Sequence, residues 1–287
     1  MELLWVPFSF AAIFLWGVGQ VFAKETRSDV HSSNLLLLFA ANIAVINIAY
    51  WLLFRGSGSF SSGTWLQAAI AAGLSGAAYV TYYESLKHGK VSVVGTIAGA
   101  YAPWTVFLAI VFLGEDLSVG QSIGIVLVVS AMLIFTYPTR NGNGNGSRKT
   151  ELLGIAFAVA SLFFWGTSAA MAKGAIDVMG NTNFIGLYGL VCPPIWLAYW
   201  FLATKGKLEV PKVDRRILEL SLAFIALGGV TMYLAIGNGP VAIVTPITNL
   251  YPMLTIAVAK IRLREQLSLR QGTALAMLLG SIPLFSI

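Results

Sequence analysis

The sequence predicts an all-α integral membrane protein in which ten transmembrane helices form two inverted five-helix repeats. Three observations lead to this fold class: the composition, a series of ten apolar segments, and a repeated sequence whose charge reverses. Of the 287 residues, 57% are hydrophobic and 10% are charged, and the mean hydropathy is +0.79. In soluble domains about a quarter of all residues are charged. This chain therefore has too few polar side chains to cover a water-soluble globule.

Ten segments are long and apolar enough to cross a membrane, since a spanning helix needs about 20 mostly apolar residues. The first segment has no basic stretch before it and is followed by Lys24, which favours a retained helix over a cleaved signal. The segments cover residues 3–23, 35–54, 65–86, 91–113, 117–137, 152–172, 184–204, 217–237, 241–260 and 267–287.

The two halves of the chain repeat each other. The stretch "FLWGVGQVFAK" (14–24) aligns with "FFWGTSAAMAK" (163–173), and "GKVSVVGTIAGAY" (89–101) aligns with "GPVAIVTPITNLY" (239–251). We therefore expect a first five-helix repeat over 1–137, a flexible cytoplasmic linker over 138–150, and a second repeat over 151–287.

The distribution of basic residues predicts the orientation of the repeats. Sixteen of the eighteen Lys and Arg residues follow odd-numbered segments, and cytoplasmic loops of membrane proteins are enriched in these residues. Both termini are therefore expected outside a plasma (inner) membrane. The turn "EDLSVGQ" (115–121) faces out, and its copy "EQLSLRQ" (265–271), which has basic neighbours, faces in. The second half is thus inverted.

Inverted repeats are a recurring plan among secondary transporters, whose substrate sites lie between the halves at interrupted helices. Prolines stand at corresponding places in the fourth and ninth segments, in "YAPW" (101–104) and "TPITNLYP" (245–252). A proline inside a helix removes a backbone hydrogen bond and frees a carbonyl group. We expect Pro103, Pro246 and Pro252 to act as hinges or gates, although a packing kink without a ligand explains prolines equally well.

These motifs together resemble the EamA-type members of the drug/metabolite transporter superfamily. The residues concerned are Trp-Gly…Ala-Lys in the first segment of each half, and the turns within "FLGEDLSVGQSIGIVLVVSAMLI" (112–134) and "RLREQLSLRQGTALAMLLGSIPL" (262–284). The resemblance covers the whole chain. It implies a ten-helix secondary carrier with a central cavity, often an exporter, without fixing the substrate.

Polar and aromatic residues near the expected centre of the bundle are the candidate substrate-binding residues. Trp16 and Gln20 share a helix stripe, Trp165 lies on the equivalent stripe of the second half, and three tyrosines lie within about one turn of the third segment. The alternatives are tryptophans that pack between helices and tyrosines that anchor the helix at the membrane interface. The candidates are Trp16, Gln20, Tyr79, Tyr82, Tyr83, Thr96, Tyr101, Trp104, Trp165, Thr245, Asn249 and Tyr251.

Glu84 is a carboxylate within the third segment, where an unpaired charge would be costly. One hypothesis makes it a proton carrier. The alternative is an ion pair with Lys87 or His88, which follow at helical spacing.

The sequence favours secondary transport of a small neutral, zwitterionic or amphipathic metabolite, amino acid or drug-like, with export as the direction. No Lys or Arg lies deep in a segment, which disfavours phosphorylated substrates, and the aromatic residues suit an ammonium group through cation–π contact. A sugar or nucleoside uptake carrier and a channel-like facilitator are the alternatives.

The sequence lacks the residue patterns that other functional classes require. We expect no enzyme activity, because the segments hold no Ser/His, paired Asp or His/Glu constellation, and no metal, cofactor or nucleic-acid partner. The remaining expected partners are the substrate and membrane lipid. Small-residue stripes occur in segment 5 (Gly120, Gly124) and segment 10 (Gly272, Ala276, Gly280). These predict close packing of the two segments in a monomer, or else a homodimer face formed by them.

Overall fold

The computed structural model of the chain describes residues 4–26, 32–54, 60–89, 91–136, 148–208, 214–263, 269–281 and 283–284. These residues form twelve α-helices and no strand. The helices are α1 (Trp5–Thr26), α2 (Ser32–Phe54), α3 (Ser62–His88), α4 (Val91–Gly99), α5 (Ala102–Leu113), α6 (Val119–Thr136), α7 (Arg148–Met179), α8 (Asn181–Thr204), α9 (Arg215–Asn238), α10 (Val241–Thr248), α11 (Tyr251–Leu263) and α12 (Leu269–Ser281).

Two of the predicted segments are each divided into a pair of helices. The fourth segment breaks between α4 and α5, and the ninth breaks between α10 and α11. Pro103 and Pro252 are each the second residue of the helix that follows the break, where a missing N–H costs no intrahelical bond. Pro246 instead lies inside α10, so the helix passes through it. The interruptions occur where the sequence predicts them, with two of the three prolines at the breaks.

Most of the predicted linker lies outside the described residues. Residues 148–150 form the first turn of α7, which therefore begins earlier than the apolar segment at 152. The extension is polar because a helix that leaves an apolar layer can continue into water, which hydropathy alone does not detect.

The turn between α5 and α6 has an ordered geometry that follows from its sequence. Gly114 ends α5 in the left-handed region at φ 65°, which glycine adopts without steric cost. The Ser118 hydroxyl accepts a bond from the Gln121 backbone N–H at 3.1 Å, and the Ser118 N–H donates to Gln121 Oε1 at 3.0 Å. This reciprocal pair is a capping box that starts α6. The copy of the turn, 264–268, lies outside the described residues.

The bundle is held together by antiparallel contacts between early and late helices. Helix α3 packs along α7, α1 along α9, and α2 along α8, while α6 packs against α12. Buried serines join two of these pairs: Ser168 Oγ donates to the Ala71 carbonyl and Ser221 Oγ donates to the Gly19 carbonyl, both at 2.7 Å. Glycine at 228 lets the Trp16 ring lie directly on the α9 backbone.

Six stretches of the described residues are long and apolar enough to cross a membrane. Helix α3 has 27 residues, but its Ser, Thr, Gly and Tyr residues lower its hydropathy. Large apolar side chains also cover the outside of the bundle; Phe107 and Phe112 on α5, for example, are 50% and 73% exposed. The qualifying stretches are Trp5–Ala23, Asn34–Phe54, Val93–Leu113, Arg148–Met179, Asn181–Thr204 and Arg215–Asn238, with shorter apolar helices over Val119–Ala131 and Val241–Thr255.

The two ends of the bundle differ in the turns that they carry. We call the linker end the one where α6 ends at Thr136 and α7 begins at Arg148; α3 ends and α9 begins there too. We call the Glu115 end the opposite one, where residues 114–118 connect α5 to α6 and where α9 ends and α10 begins.

Candidate functional site

A cavity of about 420 Å³ lies between the two halves of the bundle. Its walls come from the linker-end parts of α1, α2, α3 and α9, together with α4, the middle of α7 and α8, and the start of α11. No residue of α5 or α10 is part of the lining. The cavity therefore extends from the middle of the bundle toward the linker end and is closed at the Glu115 end.

Ten of the described residues that line the cavity are aromatic. The Trp165 ring centroid lies 5.1 Å from Tyr79, 5.4 Å from Tyr82 and 5.9 Å from Tyr101. On the opposite wall the Trp16 ring lies 5.5 Å from Tyr251, edge to face. Trp16 also packs between helices, since its Nε1 donates to the Ile225 carbonyl at 3.0 Å. The two alternatives for this tryptophan, packing and cavity wall, are thus both realised.

Hydroxyl groups form a polar patch deep in the cavity. Ser75 Oγ and the Tyr188 hydroxyl share a hydrogen bond at 3.0 Å, and the Tyr233 ring lies 5.2 Å from that of Tyr188. All three residues line the cavity. A hydroxyl both donates and accepts, so this patch can bind either kind of polar group on a solute.

Two buried asparagines in the wall have amide atoms without hydrogen-bond partners. Asn47 and Asn249 are each 2% exposed, and neither Asn47 Oδ1 nor Asn249 Nδ2 has a partner among the described residues. The Tyr101 side chain lies beside Asn249, but no atom meets hydrogen-bond geometry with Nδ2. An acceptor and a donor are therefore buried in the wall without compensation, which is unfavourable.

The described lining residues carry no charged side chain. The wall thus combines aromatic surface with neutral donors and acceptors, which suits a solute without net charge. A cationic group on such a solute would be attracted by the ring faces, whereas a strongly anionic solute would lose its hydration without gaining a counter-charge.

Most of the predicted substrate-binding residues lie in this cavity. Thr96 cannot be placed, because its side chain lies outside the described part of the chain. Pro252 also contributes to the lining. The predicted residues in the lining are Trp16, Gln20, Tyr79, Tyr82, Tyr83, Tyr101, Trp165, Asn249 and Tyr251.

Other predicted residues lie away from the cavity. Trp104 faces α7, where its Nε1 donates to Thr167 Oγ1 at 3.0 Å and its ring packs against Phe163. Thr245 is fully buried within α10 and, like Pro246, is not in the lining. Pro103 is exposed on α5.

Glu84 lies near the linker-end terminus of α3, outside the cavity lining. Its Oε1 accepts bonds from Lys87 Nζ at 2.8 Å and from the Tyr199 hydroxyl at 2.6 Å, and its Oε2 lies 3.5 Å from His88 Nε2. This geometry favours the ion-pair alternative over proton coupling through the cavity.

Several lining residues were not predicted from the sequence. Phe39, Asn47, Ser75, Tyr188 and Tyr233 all contribute to the wall. Asn47, Tyr188 and Tyr233 stand out in the sequence as polar residues in apolar segments. This pattern is the same for residues that line a cavity and for residues that form hydrogen bonds between helices. Phe39 and Ser75 carry no such signal.

Comparisons with known proteins agree with the motif-based resemblance. The model of the EamA-like transporter family matches residues 3–137 and 152–287. A solved crystal structure is similar in fold, with a TM-score of 0.79 at 17% sequence identity over 96% of this chain and 94% of that chain. No curated protein matches the sequence. The chain therefore belongs to the EamA-like transporter family of the drug/metabolite transporter superfamily, and it is an integral multi-pass membrane protein.

Proposed function

We propose that this protein is a secondary transporter for a small neutral, zwitterionic or amphipathic metabolite, such as an amino acid or a drug-like solute. The observation that carries the proposal is the cavity of about 420 Å³, which has aromatic walls, neutral polar groups and no charged side chain among its described lining. Its volume is within the range of small-molecule sites. Asn47 and Asn249 line the same cavity, and each has one buried amide atom without a hydrogen-bond partner among the described residues.

The proposal includes an inverted duplication, with repeats over 1–137 and 151–287 joined by 138–150. Equivalent contacts in the two halves support it. Thr105 Oγ1 donates to the Tyr101 and Gly166 carbonyls, both at 3.3 Å. Thr255 Oγ1 likewise donates to the Tyr251 carbonyl at 3.0 Å and to the Gly17 carbonyl at 3.2 Å. The separate matches of the family model to each half agree with this.

We further propose that the protein works by alternating access, with the cavity open in turn to each end. An asymmetry between equivalent helices supports this. Helix α10 packs against α5 and α6 at the Glu115 end, whereas the equivalent pairs, α4 with α11 and α4 with α12, do not pack closely in the described residues. The bundle is thus closed at the Glu115 end and open at the linker end. If α4 packed as α10 does now, and α10 as α4 does now, the cavity would open to the Glu115 end instead.

The linker end is proposed to face the cytoplasm, with both termini outside a plasma (inner) membrane, because sixteen of the eighteen Lys and Arg residues follow helices that end there. The open cavity then faces inward. Export is proposed on the resemblance to the family. A monomer is proposed because the small-residue stripes of α6 and α12 lie on helices that pack against each other within the chain.

The test is counterflow in proteoliposomes with a panel of amino acids, sugars, nucleosides and quaternary amines. Saturable exchange of a labelled neutral or zwitterionic solute by its unlabelled form is the expected result. Flux that rises linearly with concentration, without exchange, would identify a channel-like facilitator and refute the carrier. Exchange restricted to phosphorylated solutes would refute the proposed substrate class.

A further inference from the structure

The turn between α5 and α6 holds the first turn of α10 through one carboxylate. Glu115 Oε1 accepts a hydrogen bond from the Val241 backbone N–H at 2.8 Å, and Oε2 accepts one from the Ala242 N–H at 2.9 Å. The two partners are separated by 126 and 127 positions in the chain. The contact therefore joins the first half of the protein to the second.

This contact provides acceptors for backbone N–H groups that have none within α10 itself. The first N–H groups of a helix have no intrahelical acceptor and carry partial positive charge, so a carboxylate is a favourable partner. Pro240 occupies the N-cap position and makes no side-chain capping bond. Glu115 thus supplies the cap from the α5–α6 turn, with bonds of the charge-assisted kind.

The position of Glu115 is fixed on both sides. Gly114 ends α5 in a left-handed turn, and the Ser118–Gln121 capping box starts α6 three residues later. A rigid turn transmits the position of the α5–α6 pair directly to α10. The repeated motif in this turn therefore has a structural explanation for each of its polar residues: two start α6, and the glutamate binds α10.

The contact lies at the end where the cavity is closed. All eight residues of α10 are buried, and α10 packs against α5 between the cavity and the Glu115 end. A solute that leaves the cavity toward this end has to pass where α5 and α10 meet. Opening there requires these two helices to separate, and Glu115 directly opposes that separation.

We propose that Glu115 is the latch of the Glu115 end: it holds α10 against the α5–α6 turn while the cavity is open to the linker end, and it releases α10 when the cavity opens to the Glu115 end. This inference rests on the proposed alternating access. A helix cap with only a structural role would contribute to stability but would not set which end is open.

The experiment measures cysteine labelling from each side of the membrane. Cys192, which is fully buried, is replaced by Ala, and a reporter is introduced by Gly229→Cys. Gly229 lines the cavity, and a Cβ added there meets nothing within 4 Å, so the site has room for the thiol. A membrane-impermeant maleimide is applied separately to the two faces of oriented vesicles, before and after Glu115→Ala or Glu115→Gln.

We expect the reporter in otherwise unchanged protein to react mainly from the linker end. Glu115→Ala should raise its labelling rate from the Glu115 end about tenfold, in line with the loss of a charged helix cap, and should lower the rate from the linker end. Glu115→Gln, which keeps one acceptor oxygen, should have a smaller effect. Asp116→Asn removes the neighbouring exposed carboxylate and should leave both rates unchanged.

Each failure has a distinct signature. Equal labelling from both faces before any change at Glu115 would refute the latch, because it would show that the cavity is not held open to the linker end; the counterflow assay tests the carrier itself. One-sided labelling that Glu115→Ala leaves unaltered would refute only the latch, even if that variant melts at a lower temperature. An equal response to Asp116→Asn would also refute the latch, since it would show a general effect of charge in the turn.

Discussion

Asn47 and Thr245 each bury a side-chain oxygen that has no hydrogen-bond partner among the described residues, but only Asn47 lines the cavity. Replacing an unsatisfied buried group by an apolar one of similar shape removes the desolvation cost of about 1–3 kcal/mol. We expect Asn47→Leu and Thr245→Val both to maintain or raise the Tm. Only Asn47→Leu should reduce counterflow, by about tenfold, which is the size of effect expected for losing one hydrogen bond to the solute.

Thermal unfolding and counterflow on the two purified variants test this pair. Full counterflow by the Asn47 variant would show that the asparagine does not contact the solute. A loss of transport in the Thr245 variant would show that unsatisfied groups in α10 serve the cycle in some way that the cavity does not explain.

Glu84 is held by Lys87 and Tyr199 outside the cavity. Partly exposed ion pairs contribute little, about 0–1 kcal/mol, so Glu84→Gln should lower stability only slightly. The dependence of transport on an imposed pH gradient should not change, since the ion pair leaves Glu84 no path to the cavity. Loss of pH-driven transport in proteoliposomes, with exchange at equal pH intact, would establish the proton-carrier hypothesis instead.

At the scale of helices, two adjacent glycines of α9 provide a matched test of packing. A Cβ at Gly228 would overlap the Trp16 ring, whereas one at Gly229 meets open space. We expect Gly228→Ala to separate α1 from α9 and destabilise the protein by about 1–3 kcal/mol. Gly229→Ala should be neutral or stabilising by up to about 1 kcal/mol through helix propensity. Equal melting temperatures for the two variants would contradict the close α1–α9 contact.

The two helix breaks could be predicted from prolines only because these prolines stand at corresponding places in the two repeated halves of the sequence. Pro193 and Pro194 lie inside α8, which continues through them, and Pro246 likewise lies inside α10. A proline therefore does not determine a break by itself. The sequence could not show that Trp104 and Thr245 lie outside the cavity lining, because that depends on how the paired helices pack.

At the scale of the molecule, the repeat and the family motifs predicted the central location of the cavity and most of its aromatic wall. Residues such as Ser75 and Phe39 could not be predicted, because they join the site only through contacts between helices far apart in sequence, such as the Ser75–Tyr188 hydrogen bond. The sequence also did not predict which end of the cavity is closed. This depends on how the helices pack, as in the contact of α10 with α5 and α6, which a sequence repeat does not specify.

Reporter fusions test the orientation of the whole chain. A fusion within 138–150 should report the cytoplasm, and one within 114–118 should report the exterior, since α6 ends and α7 begins at the linker end whereas residues 114–118 lie at the Glu115 end. Both fusions on one face of the membrane would contradict the inverted arrangement. Reversed locations would retain the inversion but show that the basic residues do not set its direction.

The uncharged lining has an electrical consequence. In the proposed alternating-access cycle, the described wall of the empty cavity would move no ionised side chain across the membrane field, in which each elementary charge is worth about 2.3 kcal/mol per 100 mV. The empty carrier should therefore reorient at a rate independent of voltage. Any current recorded during transport would measure the charge of the solute and its accompanying ions alone.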